Sequence, residues 1–252
     1  MAGCVGAPDA ASRRRVTETY PVGDATRVEV RNRNGAVAVG SWDDGRVEVE
    51  ATVRSLTGAG ALDRVRIDAG VDDGTFRVDV THRDGEFLRR PVVDLSVRVP
   101  SDLAVAHAST ANGGLSVEGT VGDLLARSDN GAVEVRDVDG FVTAETANGA
   151  VEVREVAGLD GASASNGAVS VDVPALRDDA TVSTSNGRIE ARLAPDLDAE
   201  LDCSAANGSV DVGGIELTDA TLSRTRVAGR LGDGGHRLTL RAGNGSIAVR
   251  SL

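Results

Sequence analysis

The chain of 252 residues carries 39 acidic against 27 basic side chains, a formal charge of −12, and every basic residue is Arg. A surface this acidic repels phosphate backbones and anionic lipid, and no basic stretch is interleaved with aromatics, so nucleic acid is excluded as the expected partner. Apolar residues make up 40% and aromatics only 2%, so the core has to be built from Val, Ala, Leu and Ile.

The bias toward Asp and Arg without Lys fits an acidic, GC-rich, halophilic proteome, with an archaeal source as the expectation. No apolar run reaches about 18 residues, so no membrane-spanning helix is expected. Met1-Ala2-Gly3-Cys4 matches the end of a lipoprotein processing site, where small residues precede a Cys that is lipidated after cleavage. Cys4 is therefore the candidate lipidation site, and the bland alternative is a frayed small-residue terminus. Residues 1–15, closing on Arg13-Arg14-Arg15, read as a flexible tail or tether. The expected placement is extracytoplasmic and envelope-associated, with the cytoplasm as the alternative if no signal peptide lies upstream.

Residues 16–103 form an irregular block. Val28, Val30, Asn34-Gly35, Val37 and Val39 make one copy of a pattern that recurs later. Arg46 to Val53, Thr75 to Val80 and Asp94 to Val99 alternate as strands, with Asp-Gly turns at Asp44-Gly45, Asp73-Gly74 and Asp84-Gly85. This block is expected to cap the remainder by pairing with its first strands, since an open edge invites aggregation.

Residues 104–252 are a repeat. Asn-Gly occurs at Asn34, Asn112, Asn130, Asn148, Asn166, Asn186, Asn207 and Asn244, and from Asn112 the spacings are 18, 18, 18, 20, 21 and 37. Three residues after the Asn stand Leu115, Val133, Val151, Val169, Ile189, Val210 and Ile247, and five after it Val117, Val135, Val153, Val171, Ala191, Val212 and Val249. Four residues before it stand Ala108, Ala126, Ala144, Ala162, Val182, Cys203 and Leu240. The intervening positions are mostly polar, which is the period-two alternation of half-buried strands. Gly122, Gly140 and Gly158 mark a second corner. Leu238 to Leu252 is expected to be the final copy and Leu222 to Gly229 a degraded one.

Asn-Gly between alternating strands also signals a hairpin, which would give an antiparallel meander or sandwich. A constant unit length favours parallel stacking, because it sets Val over Val and Asn over Asn. The predicted fold class is thus all-β: a single-stranded right-handed β-solenoid, or β-helix-like stack, of ~18-residue coils with a more irregular N-terminal β cap. The eight Asn residues become structural corners whose side chains can form an amide ladder.

The order of parts resembles a family, the putative adhesin domain, long catalogued as a domain of unknown function in bacteria and archaea. The resemblance rests on Asn34-Gly-Ala-Val-Ala-Val followed by Gly40-Ser-Trp-Asp-Asp-Gly-Arg-Val-Glu-Val, on Val99-Pro-Ser-Asp-Leu leading into the Asn-Gly units, and on Leu231-Gly-Asp-Gly-Gly through Gly243-Asn-Gly-Ser-Ile. It implies a β-solenoid-like fold, often exported or tethered at the envelope, without established catalytic residues.

Enzyme chemistry is weighed and set aside. Glycoside hydrolysis needs two carboxylates at a set separation, and the acids here fall on outward alternate positions. Calcium-binding nonapeptide corners need Gly-Gly-x-Gly-x-Asp, which is absent. His82, His107 and His236 lack ligand spacing, Cys203 shares the register of Ala144 and Ala162, and Trp42 is expected to pack across a strand pair. No cofactor or metal site is expected. The expected function is a non-enzymatic surface or adhesin-like module that meets an unknown protein or glycan at the cell surface through its polar strand faces, touching membrane only through a lipid at Cys4. A sensory or scaffolding domain acting by strand addition is one alternative, and a polysaccharide-active enzyme is the other.

Overall fold

A computed structural model describes residues 12–56, 59–82 and 91–252. Cys4 and the Asp84-Gly85 turn lie outside those residues. Among the described residues the architecture is all-β, relieved by one 3-10 turn at Ala59–Arg64. The N-terminal block holds β1 (Ser12–Pro21), β2 (Arg27–Arg31), β3 (Val37–Trp42), β4 (Arg46–Ser55), β5 (Val65–Asp72), β6 (Thr75–His82) and β7 (Val92–Pro100). The repeats hold β8 (Ala104–Asn112), β9 (Leu115–Val121), β10 (Leu124–Asn130), β11 (Val133–Asn148), β12 (Val151–Asn166), β13 (Val169–Val173), β14 (Ala180–Asn186) and β15 (Ile189–Leu193). They continue in β16 (Ala199–Asn207), β17 (Val210–Gly213), β18 (Thr218–Leu222), β19 (Arg226–Leu231), β20 (Arg237–Asn244) and β21 (Ile247–Ser251).

Two parallel ladders run through the molecule. The first contains the strands that precede the corners, in the order β6, β2, β8, β10, the second half of β11, the second half of β12, β14, β20, β16. The second contains those that follow the corners: β7, β3, β9, the first half of β11, the first half of β12, β13, β15, β21, β17. The repeats therefore pair in parallel and in register, which rules out the meander for this region. Asp137 and Glu155, at φ 51° and 52°, bend β11 and β12 from one ladder into the other. Between the ladders, the pairings of β8 with β10, β10 with β11, β11 with β9, and Ala104 of β8 with Val121 of β9 close a four-strand ring.

The register explains the core. Ala108, Ala126, Ala144, Ala162, Val182, Leu240 and Cys203 are stacked neighbours in the first ladder, none more than 2% exposed. Leu115, Val133, Val151, Val169, Ile189 and Ile247 do the same in the second. Each buried Val or Leu contributes about 1.5–3 kcal/mol by leaving water, so a core almost without rings is built by repetition. Phe76 is the exception, buried on β6 with Tyr20 packed edge-on at 5.8 Å.

Spatial order departs from sequence order at both ends. The β2–β3 copy lies between β6–β7 and β8–β9, and the β20–β21 copy lies between β14–β15 and β16–β17. The copy that is last in sequence is thus an inner layer. The long interval before Asn244 is filled by β18 and β19, an antiparallel pair laid on β16. Leu222 to Gly229 belongs to that pair and is not a degraded copy: its residues run against the strand they pair with.

The N-terminal end is closed by antiparallel strands. β5 folds onto β6 through Asp73 and Gly74, both at positive φ, and β4 pairs with β7 and β1 with β4. Ser12 to Arg15, read from composition as part of the tail, are paired with Thr52 to Ser55. The opposite end is closed on the first ladder only. There β17 pairs with β21 alone, and its outer edge donates one bond, from the Val210 amide to the Arg224 carbonyl at 2.9 Å.

Candidate functional site

At every corner except that of Gly208 the Gly amide donates to the Asn carbonyl of the next layer, as Gly149 does to Asn166 at 3.0 Å. The stacked backbones come close enough that a Cβ on Gly149 would lie 2.2 Å from the Gly131 carbonyl oxygen. Gly187 has the same conflict, at 2.0 Å, without a positive φ. Close approach, more than handedness of the turn, is what requires glycine here.

The Asn side chains bond one another along this edge. Asn130 donates to Asn112, Asn148 to Asn130, Asn166 to Asn148, Asn186 to Asn166, Asn244 to Asn186 and Asn207 to Asn244, all between 2.8 and 3.1 Å. Asn112 donates to the Arg33 carbonyl and Asn34 to that of Pro91. Two residues before the Asn, the hydroxyls of Thr110, Ser128, Thr146 and Thr184 donate to the corner Gly carbonyl of the adjoining layer. Sequence reading missed these hydroxyls because Ala164, Ala205 and Ala242 interrupt the column.

The Arg side chains on the outward face of the second ladder are bonded within that face. Arg136 bridges Glu134 and Glu152 at 2.6 and 2.8 Å, and Arg154 reaches Asp172 at 2.9 Å. Arg192 closes on the same Asp172 at 2.8 Å, and Arg250 on Asp211. Arg98 pairs with Glu48 and lies 4.8 Å over the Trp42 ring, whose indole nitrogen donates to the Arg46 carbonyl. At the other corner Arg177 lies 4.4 Å over Phe141 and bonds Asp160 and Asp123. The Arg177 hydrogen bond holds the Asp123 carboxyl below the usual carboxylate range, helped by the Phe141 amide.

The outward face of the first ladder differs. Three and one residues before the Asn, the side chains change along the stack from Arg127, Asp129 and Glu145 to Ser163, Ser165, Ser183, Ser185 and Ser204. Short side chains here leave an open groove of about 980 Å³, floored by those serines and walled at one end by Thr225 and Arg226, where the chain turns into β19. Among the described residues no carboxylate lines it, although the chain carries 39 acids. Arg241 is exposed on the floor, and among the described residues no carboxylate pairs with it. Arg226 bonds Asp202 through one nitrogen at 3.2 Å. The five serine hydroxyls form no hydrogen bond within the described chain.

The remaining candidates are separate from this groove. His107 is half-buried against Ser109, its pKa lowered by burial and then by Arg31. Cys203 is buried in the core, and burial pushes its thiol up to about 12. Among the described residues no three His, Cys, Asp or Glu side chains cluster as metal ligands, and no helix is long and apolar enough to cross a membrane.

No family model matches the chain, and no curated protein does. Solved structures do. A putative adhesin from Bacteroides fragilis is 12% identical with a TM-score of 0.45, over 94% of this chain and 98% of that one. A putative lipid binding protein from Parabacteroides distasonis is 14% identical with a TM-score of 0.45, over 94% and 97%. A putative cell adhesion protein from Clostridium sporogenes is 12% identical with a TM-score of 0.35, over 96% and 100%.

Proposed function

We propose that this chain is a non-enzymatic, envelope-associated surface module, adhesin-like in role, that recognises its partner on the outward face of the first ladder. One contrast supports the reading. On the second ladder Arg136, Arg154 and Arg192 are held by Glu134, Glu152 and Asp172, so a partner would have to break those pairs to use them. The groove on the first ladder offers serine hydroxyls and an Arg that the fold does not use. A hydrolase is disfavoured at this groove, since its lining lacks the carboxylate pair on which glycoside chemistry depends.

The scaffold in this reading is a β-solenoid of ~18-residue coils over residues 104–252, capped by 16–103. The in-register parallel pairing favours it, and the strong preference of parallel crossovers for one hand makes it right-handed. The Asn column, from Asn34 to Asn244, is then corner structure, its side chains engaged by their neighbours. Lipidation at Cys4, with the segment before Ser12 as tether, would hold the module at the envelope. Metabolic labelling with a fatty acid, lost in Cys4→Ser, tests that part.

The test of the surface is binding of the labelled protein to envelope fractions. Ser183→Tyr, which fills the groove, is expected to abolish binding, while Ser116→Tyr on the second ladder keeps it. Equal binding by both variants overturns the assignment. A scaffolding role by strand addition is the second reading, favoured by the incompletely covered edge of β17. Binding unaffected by Ser183→Tyr, with the β17 amides protected from exchange in the complex, would select it.

A further inference from the structure

We propose that the groove binds an anionic polysaccharide, a glycan strand bearing carboxylate or sulfate groups, with Arg241 as the residue that recognises the anion. The proposal rests on the surface reading above and adds the ligand class. Three features define the chemistry. The floor is made of hydroxyls that can both donate and accept, the pattern that matches a ligand rich in hydroxyl groups. It carries no aromatic ring, so stacking on a neutral sugar supplies nothing, and a protein partner would find none of the Tyr or Trp anchors that carry most interface energy. Affinity has to come from hydrogen bonds and charge.

Among the described residues the only charges lining the groove are guanidinium groups, with Asp202 bonded to Arg226 at one end and Glu145 in register with Ser163 at the other. Guanidinium presents a planar fork of donors suited to carboxylate or sulfate. Among the described residues no acid pairs with the Arg241 fork, and Arg226 at the groove end has donors beyond the one given to Asp202. A formal charge of −12 would be expected to keep carboxylates everywhere, yet this groove excludes them. At physiological salt the Debye length is about 8 Å, so acids beyond that are screened at Arg241, which stands between Ser183 and Ser204 and three strands from Glu145. The layers repeat along the groove at about 4.8 Å, which lets an extended chain run along the stack with its substituents meeting successive layers.

The test measures retention of the full chain on polygalacturonate, dextran sulfate, neutral dextran and poly-glutamate at physiological salt. Binding to polygalacturonate, to dextran sulfate or to both is expected, with the two arms separating carboxylate from sulfate, and neither neutral dextran nor poly-glutamate should compete. Arg241→Gln should weaken binding about tenfold or more, as expected for a charge-assisted hydrogen bond, and should leave thermal unfolding unchanged because Arg241 pairs with nothing in the fold. Arg136→Gln, on the self-paired face, should bind as the wild type. Equal retention on neutral dextran, preference for poly-glutamate, or unchanged binding in Arg241→Gln overturns the proposal. If no polymer binds while Ser183→Tyr still abolishes binding to envelope fractions, the ligand class is wrong and the surface assignment stands.

Discussion

The side-chain nitrogen of Asn244 donates to the side-chain oxygen of Asn186 at 2.8 Å across 58 residues of sequence. Asn207 in turn donates to Asn244 at 3.0 Å. The copy that ends the chain is therefore clamped between two others. Stacks that add layers in sequence order lose only an end when shortened, because each repeat touches its neighbours alone. Here removal of residues 236–252 takes out an inner layer and strands β16 and β17 from the rest. The truncated chain should lose cooperative unfolding of its C-terminal half, read by circular dichroism and amide exchange. A truncated protein with an unchanged Tm would overturn the inserted order.

Gly149→Val puts a branched side chain where even a Cβ would meet the Gly131 carbonyl oxygen at 2.2 Å. The two layers cannot separate without breaking the bond from the Gly131 amide to the Asn148 carbonyl. A loss of about 3 kcal/mol in urea unfolding is expected, at the upper end for overpacking. Glu152→Gln, two-fifths exposed beside Arg136 and Arg154, should cost under about 1 kcal/mol. Similar losses in the two variants would count against the close approach of the corners.

Much of the fold is visible in the spacing of the Asn residues, because an 18-residue unit fixes which side chains share a register. The inward Ala108, Ala126 and Ala144 column follows from counting alone. Order in space does not, because inserting β20–β21 between β14–β15 and β16–β17 leaves every local pattern unchanged. The uneven interval from Asn207 to Asn244 was the one trace of it. The groove is legible in hindsight as the switch from Arg127 and Glu145 to Ser163 and Ser183 at one repeat position. Its wall at Thr225 and Arg226 comes from an antiparallel pair with no repeat signature, and Arg241 stands out only once its place between Ser183 and Ser204 is known.

Asp172 is the buried end of the charge column, its side chain 8% exposed and held by Arg154 and Arg192. Asp172→Ala would leave Arg154, itself 16% exposed, with Glu152 at 3.6 Å as its closest carboxylate. Removing one partner of a largely buried pair strands the other charge and is strongly destabilising. A loss of about 2–3 kcal/mol is expected in urea unfolding, reduced from the fully buried case because Arg192 can turn to solvent. Arg136→Ala, in the exposed part of the column, should cost under about 1 kcal/mol. The interpretation fails if the two losses are equal.

Cys203 links the core to alkaline pH. Burial raises its thiol from 9.0 to about 12, so between those values the folded chain keeps a proton that the unfolded chain releases. Stability from this group is complete below pH 9 and falls as pH rises toward about 12, by at most about 1.4 kcal/mol per pH unit. Tyr20, raised from 10.0 to about 12 chiefly by burial and next by its hydrogen bond to Glu18, adds a second decline that starts one unit higher. Cys203→Ala places at this position the residue found at Ala126 and Ala144. It should lower stability at neutral pH, by loss of contact with Leu240 and Val227, yet flatten the decline between pH 9 and 10 and leave the later one. Urea unfolding across pH 7–11 measures both limbs, and an unchanged slope between pH 9 and 10 would remove Cys203 as its cause.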